Sequence, residues 1–584
     1  IMKKLISIVL SVIMTLSVFT VAFSANSFAA DVPEQTQSVA TQALNEETLT
    51  SIFAKATELI DLKDIYIPTS WDDLGNVILK MLYGVVDVLI DVIVKSINSV
   101  IPSVKFEKEE NYTNDMFFPG MSTWLSSPAV NAKWNLGYGS ASLQTGNELD
   151  GNHFVGGSLS FPKTKAATEM FNDDQRVRVI AINDNSGRGT VVFASIDGFG
   201  LSNTDVRGIR QELKEFASQN NIVGINISVL HQHSCIDTFG MNGDLVKMIF
   251  KNPLVNIANN SLGTDFSLLN GQNKDFMKHL YDVTVDSIMT AVNTMTPGKL
   301  FYSATDVSKY IRDKRAPYVS DPDIHRFRFV PDNGGRETWL CNLAIHCVGN
   351  GAAGTAVTGD YPYYLEQYID KTANANFIQI QGAELAISSN YASLNLPEDT
   401  DSETSIKAFG EALGQALVYS NEAETEVAPL LNYKMDEYNA PITNQILEFA
   451  GRLGALTNTV VEVKDEAYKL AVKTEIGYLE FGNKLAVAII PGELEAAIAY
   501  GGYLDKTNSW KNKDFNYPSL QEIVGNDKEL MVFGLTNDQI GYILEDNDYS
   551  SIISGVNEEI VATGNLTGSA TINAFEKLYN SIEK

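Results

Sequence analysis

The chain has 584 residues and a formal net charge of −29, with 43 Lys and Arg against 72 Asp and Glu. An acidic surface of that size repels phosphate backbones and anionic lipid headgroups, which argues against nucleic acid as a partner and against simple electrostatic docking on anionic membranes. Three cysteines, Cys235, Cys341 and Cys347, are too few for a disulfide framework; one bridge at most is possible, and small buried residues near a packed centre are the favoured reading.

The chain opens Ile1-Met2-Lys3-Lys4, followed by an apolar run from Leu5 to Phe23 and small residues from Ser24 to Ala30. A charged start, an apolar stretch and a cleavage site after Ala29 read as a signal peptide over 1–29, with Met2 as the true start. A membrane anchor is the alternative, disfavoured because small residues close the run and no basic cluster follows. The mature protein, about 555 residues, is therefore expected to be exported and secreted. A flexible, acidic lead-in follows over 31–50. From Leu74 to Ile101, the polar residues Lys80, Gly84, Asp87, Asp91, Lys95 and Asn98 recur at three- and four-residue steps among Val, Ile, Leu and Met. That pattern predicts an amphipathic helix with a narrow polar stripe, ended by Pro102. It either packs on the main domain, the favoured reading, or touches a membrane surface or an apolar substrate. The lead-in and this helix together occupy 30–109.

From about residue 110 the chain reads as one large α/β domain extending to 584. Arg176 to Asn183 and Gly189 to Ile196 read as paired strands around the polar turn Asp184-Asn185-Ser186-Gly187. Thr204 to Gln219 has helical periodicity, Ile222 to Leu230 reads as a buried strand, and Lys274 to Met295 as a helix. Arg326 to Val330 and Thr338 to Cys347 read as strands. Tyr363 to Thr372 is helical, Phe377 to Gln381 a strand, Glu403 to Tyr419 a helix. Lys484 to Ile490 is a strand stopped by Pro491, and Leu530 to Phe533 another. Alternating strands and helices predict a layered, mixed-sheet α/β architecture.

Only six histidines occur, and two of them, His231 and His233, sit two apart at the end of the Ile222 to Leu230 run. Strand ends in α/β sheets are frequent ligand sites, and neutral imidazole is a common zinc ligand, so the pair is a credible half of a zinc site that needs partners elsewhere. Three other segments have the same shape, an apolar run stopping at a metal-capable side chain. They are Leu343-Ala344-Ile345-His346-Cys347, Ala486 to Glu493 through Pro491-Gly492, and Met531 to Asn537 with Tyr542 beyond. Glu493 is expected to open a helix over Leu494 to Tyr500, where the helix dipole favours a carboxylate. A core histidine, a helix-start acid and a buried tyrosine are the ordinary alternatives for each.

In order along the chain, these motifs resemble the neutral ceramidase family. The family's Ser-Ile-Asp is Ser195-Ile196-Asp197 here, and its His-Thr-His-Ser is His231-Gln232-His233-Ser234. Its Asn-Arg-Ser-Pro-Tyr resembles Lys314-Arg315-Ala316-Pro317-Tyr318, and its Phe-Ala-Ile-His resembles Leu343-Ala344-Ile345-His346. Pro-Gly-Glu is Pro491-Gly492-Glu493, and Gly-Leu-x-Asn with a Tyr-Ile pair is Gly534-Leu535-Thr536-Asn537 with Tyr542-Ile543. The resemblance spans roughly 110 to 584 and implies zinc ligands His231, His346, Glu493 and Tyr542. It makes His233 a proton-handling or substrate-facing group and Arg315 a holder of a polar substrate group. Ser388 falls where the family carries a serine assigned a nucleophilic role. The flanking acid and proline are Ala386 and Ser389 here, which favours direct attack by water activated at zinc. His-Thr-His-Ser-Gly-Pro becomes His-Gln-His-Ser-Cys-Ile, which changes the loop lining the pocket. The 42 residues after Tyr542 are too few for the β-sandwich domain that family members usually carry.

The resemblance implies a zinc-dependent amidase acting on ceramide or a related N-acyl lipid, with the Leu74 to Ile101 helix near the substrate entrance. Two rivals stand beside it: a catalytically inactive lipid-binding protein on the same scaffold, and a metal-dependent esterase or phosphoester hydrolase with Asp197 as an added ligand.

Overall fold

The computed structural model describes residues 103–157, 166–242, 271–351, 354–452, 456–465, 467–550 and 561–582, together with 91–99 and single positions at 84, 87, 88 and 454. The expected signal peptide and the 31–50 lead-in lie outside the described residues.

Two mixed sheets make the centre. The larger has nine strands. Trp134–Ser142, Arg176–Asn183 and Thr190–Ile196 run antiparallel through the expected hairpin, and Ile222–Val229 adds in parallel at one edge. Thr296–Asp306, Asp323–Pro331 and Glu337–Leu343 continue antiparallel on the other side, and Ala375–Gln381 adds in parallel at the far edge. The smaller sheet, of six strands, is built around Leu431–Pro441, Leu470–Phe481, Leu485–Ile489 and Glu529–Phe533.

Alternation along the strands decides the layering. On Arg176–Asn183, Val177, Val179 and Ala181 face the helix Lys274–Asn293, while Ile180 and Ile182 face the second sheet. There they meet Leu479, Phe481, Val487, Ile489 and Phe533. The rings of Phe193 and Phe533 touch edge-on across the sheets, 5.6 Å between centroids; removing a ring of this kind costs about 3–5 kcal/mol. The outer face of the smaller sheet is covered by Ala496–Tyr500, Leu520–Val524 and Thr567–Asn580. The helices Asp360–Ala373 and Ser402–Val418 cover Trp339, Cys341 and Phe377. The result is a four-layer arrangement of helices, two facing sheets and helices, in agreement with the expected layered α/β class.

The larger sheet curls until its edges approach: Gln381 Nε2 donates to the Leu230 carbonyl at 3.0 Å, and across the concave face Tyr138 OH of the central strand donates to the Phe377 carbonyl at 3.2 Å. That curl brings the end of Ile222–Val229 to the ends of Glu337–Leu343 and Ala375–Gln381. All three cysteines are free and buried, and burial pushes the Cys341 thiol up to about 12.

Two expectations change. The helix expected over Thr204 to Gln219 is two, Asn203–Glu212 and Lys214–Gln219. The Leu213 N–H reaches back to Arg210, three residues away, and this tighter turn carries Leu213 and Ala217 into the core. Glu493 opens no helix: Glu493–Leu494 is a short strand parallel to Tyr542–Ile543, and the helix begins at Ala496. In the Leu74 to Ile101 segment, residues 91–99 are helical up to a turn at Ser99. Asp87 and Asn98 of the expected polar stripe are buried, in line with the favoured reading that this segment packs on the main domain. Asn98 Nδ2 donates to the Gln445 carbonyl at 3.1 Å, at the start of the helix Gln445–Arg452, and Asp87 lies 3.8 Å from Lys511 Nζ. No helix among the described residues is long and apolar enough to cross a membrane.

Candidate metal centre

The histidine pair lies just beyond its strand. Ile222–Val229 stops at Val229, and His231 takes a left-handed backbone conformation, φ 52°. Such a conformation costs a residue with a side chain about 1–3 kcal/mol and persists only where the surroundings impose it. Here they do. The Leu230 N–H donates to the Ile196 carbonyl at 3.0 Å, the Gln232 N–H to Gly198 at 3.0 Å, and the His233 N–H to Cys347 at 3.0 Å. Gln232, fully buried, donates its side-chain amide to the Gly359 carbonyl at 2.7 Å. Gly157 packs on the His233 backbone so closely that a Cβ there would lie 2.5 Å from its carbonyl oxygen.

His231, His346 and Glu493 converge. His231 Nε2 lies 3.2 Å and His346 Nε2 3.3 Å from the same oxygen, Glu493 Oε2. His231 Nδ1 is 2.8 Å from the Phe199 carbonyl, and His346 Nδ1 is 2.9 Å from the Ile387 carbonyl. A carbonyl only accepts, so each Nδ1 carries a proton, and in the neutral rings each Nε2 presents a lone pair. Burial, with His231 beside it, lowers the His346 pKa, which favours the neutral ring. Glu493 Oε2 has no hydrogen-bond partner among the described residues. Two imidazole lone pairs and a carboxylate oxygen, aimed at one point, repel each other unless a cation sits between them.

That donor set fits zinc. Two nitrogens and one oxygen are ordinary zinc ligands, and an Nδ1–H bonded to a backbone carbonyl is the usual support that orients a ligating imidazole. Tyr542 sits directly beside Glu493 in the strand register, and its side chain lines the same cavity. The His233 ring stands perpendicular to His231 at 4.7 Å, and one nitrogen from each of His231, His233 and His346 lies within 4.8 Å of the others.

A cavity opens over this point, its wall including His231, His233, Glu493 and Tyr542. The rest of the lining is mostly apolar: Phe199, Phe239, Met241, Leu447, Val472 and Ile540 among others. A mostly apolar cleft with a few convergent polar groups is the usual form of a small-molecule site. Leu447 belongs to Gln445–Arg452, the helix on which Asn98 rests.

The remaining candidates stand apart from that wall. Ser388 is buried in a short strand, Ile387–Ser389, paired with Ile311–Asp313, and forms a bridge to His346. Arg315 is buried, and its guanidinium donates to the Asp548 carbonyl at 3.0 Å and to the Asp548 carboxylate, with Glu495 4.0 Å from Nε. Asp197, considered as an added ligand, is committed elsewhere: its carboxylate accepts from Arg178 and from the Arg176 N–H, each at 2.8 Å.

Sequence reasoning passed over Glu384. It is fully buried, 3.8 Å from His346 Nδ1, and has no hydrogen-bond partner for either oxygen among the described residues. A single acid within the apolar stretch Phe377 to Ile387 was the available signal. The Phe199 and Ile387 carbonyls, which set the tautomers, have no signal in side-chain identity.

No family model matches the chain, and no curated protein matches it by sequence. Solved structures do match. A neutral ceramidase from Pseudomonas aeruginosa superposes with a TM-score of 0.55 at 14% identity, over 77% of this chain and 74% of that one. A ceramidase complexed with C2 superposes with a TM-score of 0.55 at 15% identity, over 78% of this chain and 77% of that one. The chain thus shares its overall fold with the neutral ceramidases.

Proposed function

We propose that this chain is an exported, zinc-dependent hydrolase that cleaves the N-acyl amide bond of ceramide or a related N-acyl lipid, releasing a fatty acid and a sphingoid base. The observation that carries the reading is the convergence of His231 Nε2, His346 Nε2 and Glu493 Oε2 beneath a mostly apolar cavity. The shared fold with ceramidases supports the substrate class, and the N-terminal sequence pattern supports export.

His231, His346, Glu493 and Tyr542 would hold the metal. The chemistry zinc supplies when bound is polarisation of the amide carbonyl and acidification of water to a pKa of roughly 7. Phe199, Leu447 and Ile540 shelter the hydrocarbon chain and keep bulk water from the reacting carbonyl. His233, at the cavity wall beside His231, carries a proton to the departing nitrogen from its ring nitrogen. The described turns over 91–99 meet Gln445–Arg452 through Asn98, and Leu447 of that helix lines the cavity, which supports a place for the expected 74–101 helix beside the entrance where lipid arrives from a membrane surface.

The test is zinc content and ceramide hydrolysis in the wild type and in His231→Ala. Zinc bound near one equivalent with turnover, both lost in the variant, is the expected result. Full activity in metal-free protein sinks the reading. Tight lipid binding without turnover when zinc is supplied replaces it with the inactive-scaffold rival, which the altered flanks of Ser388 favour.

A further inference from the structure

We propose that Gln539 is the positioning residue that aims the Glu493 carboxylate at the metal, an inference that rests on the zinc reading above. Gln539 is 4% exposed and lines the cavity beside Glu493. Its Nε2 donates to Glu493 Oε1 at 3.2 Å, while the other oxygen, Oε2, faces His231 and His346. Rotation of a glutamate carboxylate about its last torsion is soft, with a broad range of allowed angles. A donor fixed on Oε1 removes that freedom and leaves Oε2 pointing at the two imidazoles.

The amide can serve this way because its own orientation is fixed. Gln539 Oε1 accepts from the Gly541 N–H at 3.4 Å, so the donor end of the amide must face Glu493. The Gly541 carbonyl in turn accepts from the Glu493 N–H at 3.1 Å, which closes a ring of three hydrogen bonds among Gln539, Gly541 and Glu493. The turn carrying Gln539 is clamped from outside. Asp538 Oδ1 accepts from the Asn203 N–H at 2.9 Å and from Asn458 Nδ2 at 2.6 Å, and Asn458 Nδ2 also reaches the Gln539 carbonyl at 3.1 Å. Asn458 lines the same cavity. Neither a carboxylate nor an apolar side chain at 539 could do this work: the first would repel Glu493, and the second would leave Oε1 without a donor.

The experiment uses the full chain, stripped of metal and titrated with Zn²⁺ against a chromophoric chelator, with the melting of the metal-free protein recorded alongside. Supporting groups of this kind are worth about 10- to 100-fold in metal affinity. Gln539→Leu is expected to weaken zinc binding by that factor, and Gln539→Glu by at least as much, with the melting transition of metal-free protein little changed. Asn458→Ala, which loosens the turn without touching Glu493, is expected to weaken zinc binding by less. Wild type that binds zinc tightly with Gln539→Leu binding it equally well overturns the inference and leaves the proposed function standing. Wild type that binds no zinc overturns both. Should Gln539→Leu fail to fold, Asn458→Ala decides, and an unchanged zinc affinity there counts against the role.

Discussion

Among the described residues, two of the places that bury histidine beside carboxylates are built to opposite ends. At His325, on the strand Asp323–Pro331, both ring nitrogens have complementary partners: Nε2 lies 2.8 Å from Asp321 Oδ2, and Nδ1 2.7 Å from Tyr302 OH, which itself donates to Glu529. Tyr500 OH adds a second donor to Asp321 Oδ2, at 3.1 Å. Burial works against a charged ring there, but Asp321, with Glu529 and Asp323 behind it, outweighs burial and raises the His325 pKa. An imidazolium completes that cluster. At His231 and His346 the Nδ1 protons are already committed to carbonyls, and the remaining nitrogens face a carboxylate oxygen that receives no hydrogen bond among the described residues. Proximity of histidine to acid is common to both places. The balance of donors and acceptors separates an ion pair that holds strands together from a point that needs a cation.

The largest effect that could break this distinction is at Glu493. Glu493→Gln swaps an anionic oxygen for a neutral amide that can donate to an imidazole. Zinc affinity is expected to fall by more than about 100-fold, beyond what loss of a supporting group costs, and the metal-free protein to be no less stable. Chelator titration and calorimetry check both halves. A variant that keeps zinc would mean the convergence is structural. Next is His325→Ala, which leaves the largely buried Asp321 carboxylate without its cation and is expected to cost at most about 3–5 kcal/mol of stability, read by denaturant unfolding, with zinc content unchanged. Loss of zinc in that variant would erase the contrast between the two places.

The pH response of the same cluster is smaller and has a definite sign. A raised His325 pKa means that the folded state holds the proton more tightly than the unfolded chain, whose value is near 6.5. The contribution is therefore complete below about 6.5 and is lost as pH rises through the higher folded value. The stability gap between wild type and His325→Gln should be widest in mildly acidic buffer and narrow toward alkaline pH. A gap that widens with pH contradicts the assignment of an imidazolium to His325.

What the sequence revealed, and what it hid, follows the range of the forces involved. Arg176–Asn183 and Thr190–Ile196 are legible because an apolar run on each side of a polar turn is a local signal. His231, His346 and Glu493 are legible as polar side chains that terminate apolar runs. Strand pairing between distant segments is not: Glu493 is a strand residue only because Tyr542 lies beside it, and nothing near Glu493 in sequence announces that partner. Leu431–Pro441, with Lys434, Asp436 and Glu437 in its middle, lacks an apolar run yet pairs along its whole length with Leu470–Phe481. The groups that tune the centre are backbone carbonyls at Phe199 and Ile387 and an amide at Gln539, and their roles depend on the curl of the larger sheet and on one clamped turn.

The smallest effect is expected at Ser388, and it sharpens the comparison by separating support from chemistry within the metal centre. Ser388 belongs to a strand paired with Ile311–Asp313, bridges the backbone of His346, and stands outside the cavity wall. Its neighbours are Ala386 and Ser389, so neither an acid nor a proline shapes the turn around its hydroxyl. A serine that attacked the amide and carried the acyl group would, on removal, cost on the order of 10⁶ in kcat. A serine that only supports the segment holding His346 Nδ1 would cost no more than the 10- to 100-fold typical of groups around a metal ligand. Ser388→Ala, assayed for ceramide hydrolysis at saturating zinc, is expected to fall within the second range, because the hydroxyl has the place of a scaffold group and the proposed reading assigns the attack to water. A loss near the first range would move Ser388 into the chemistry and make the reaction a two-step acyl transfer.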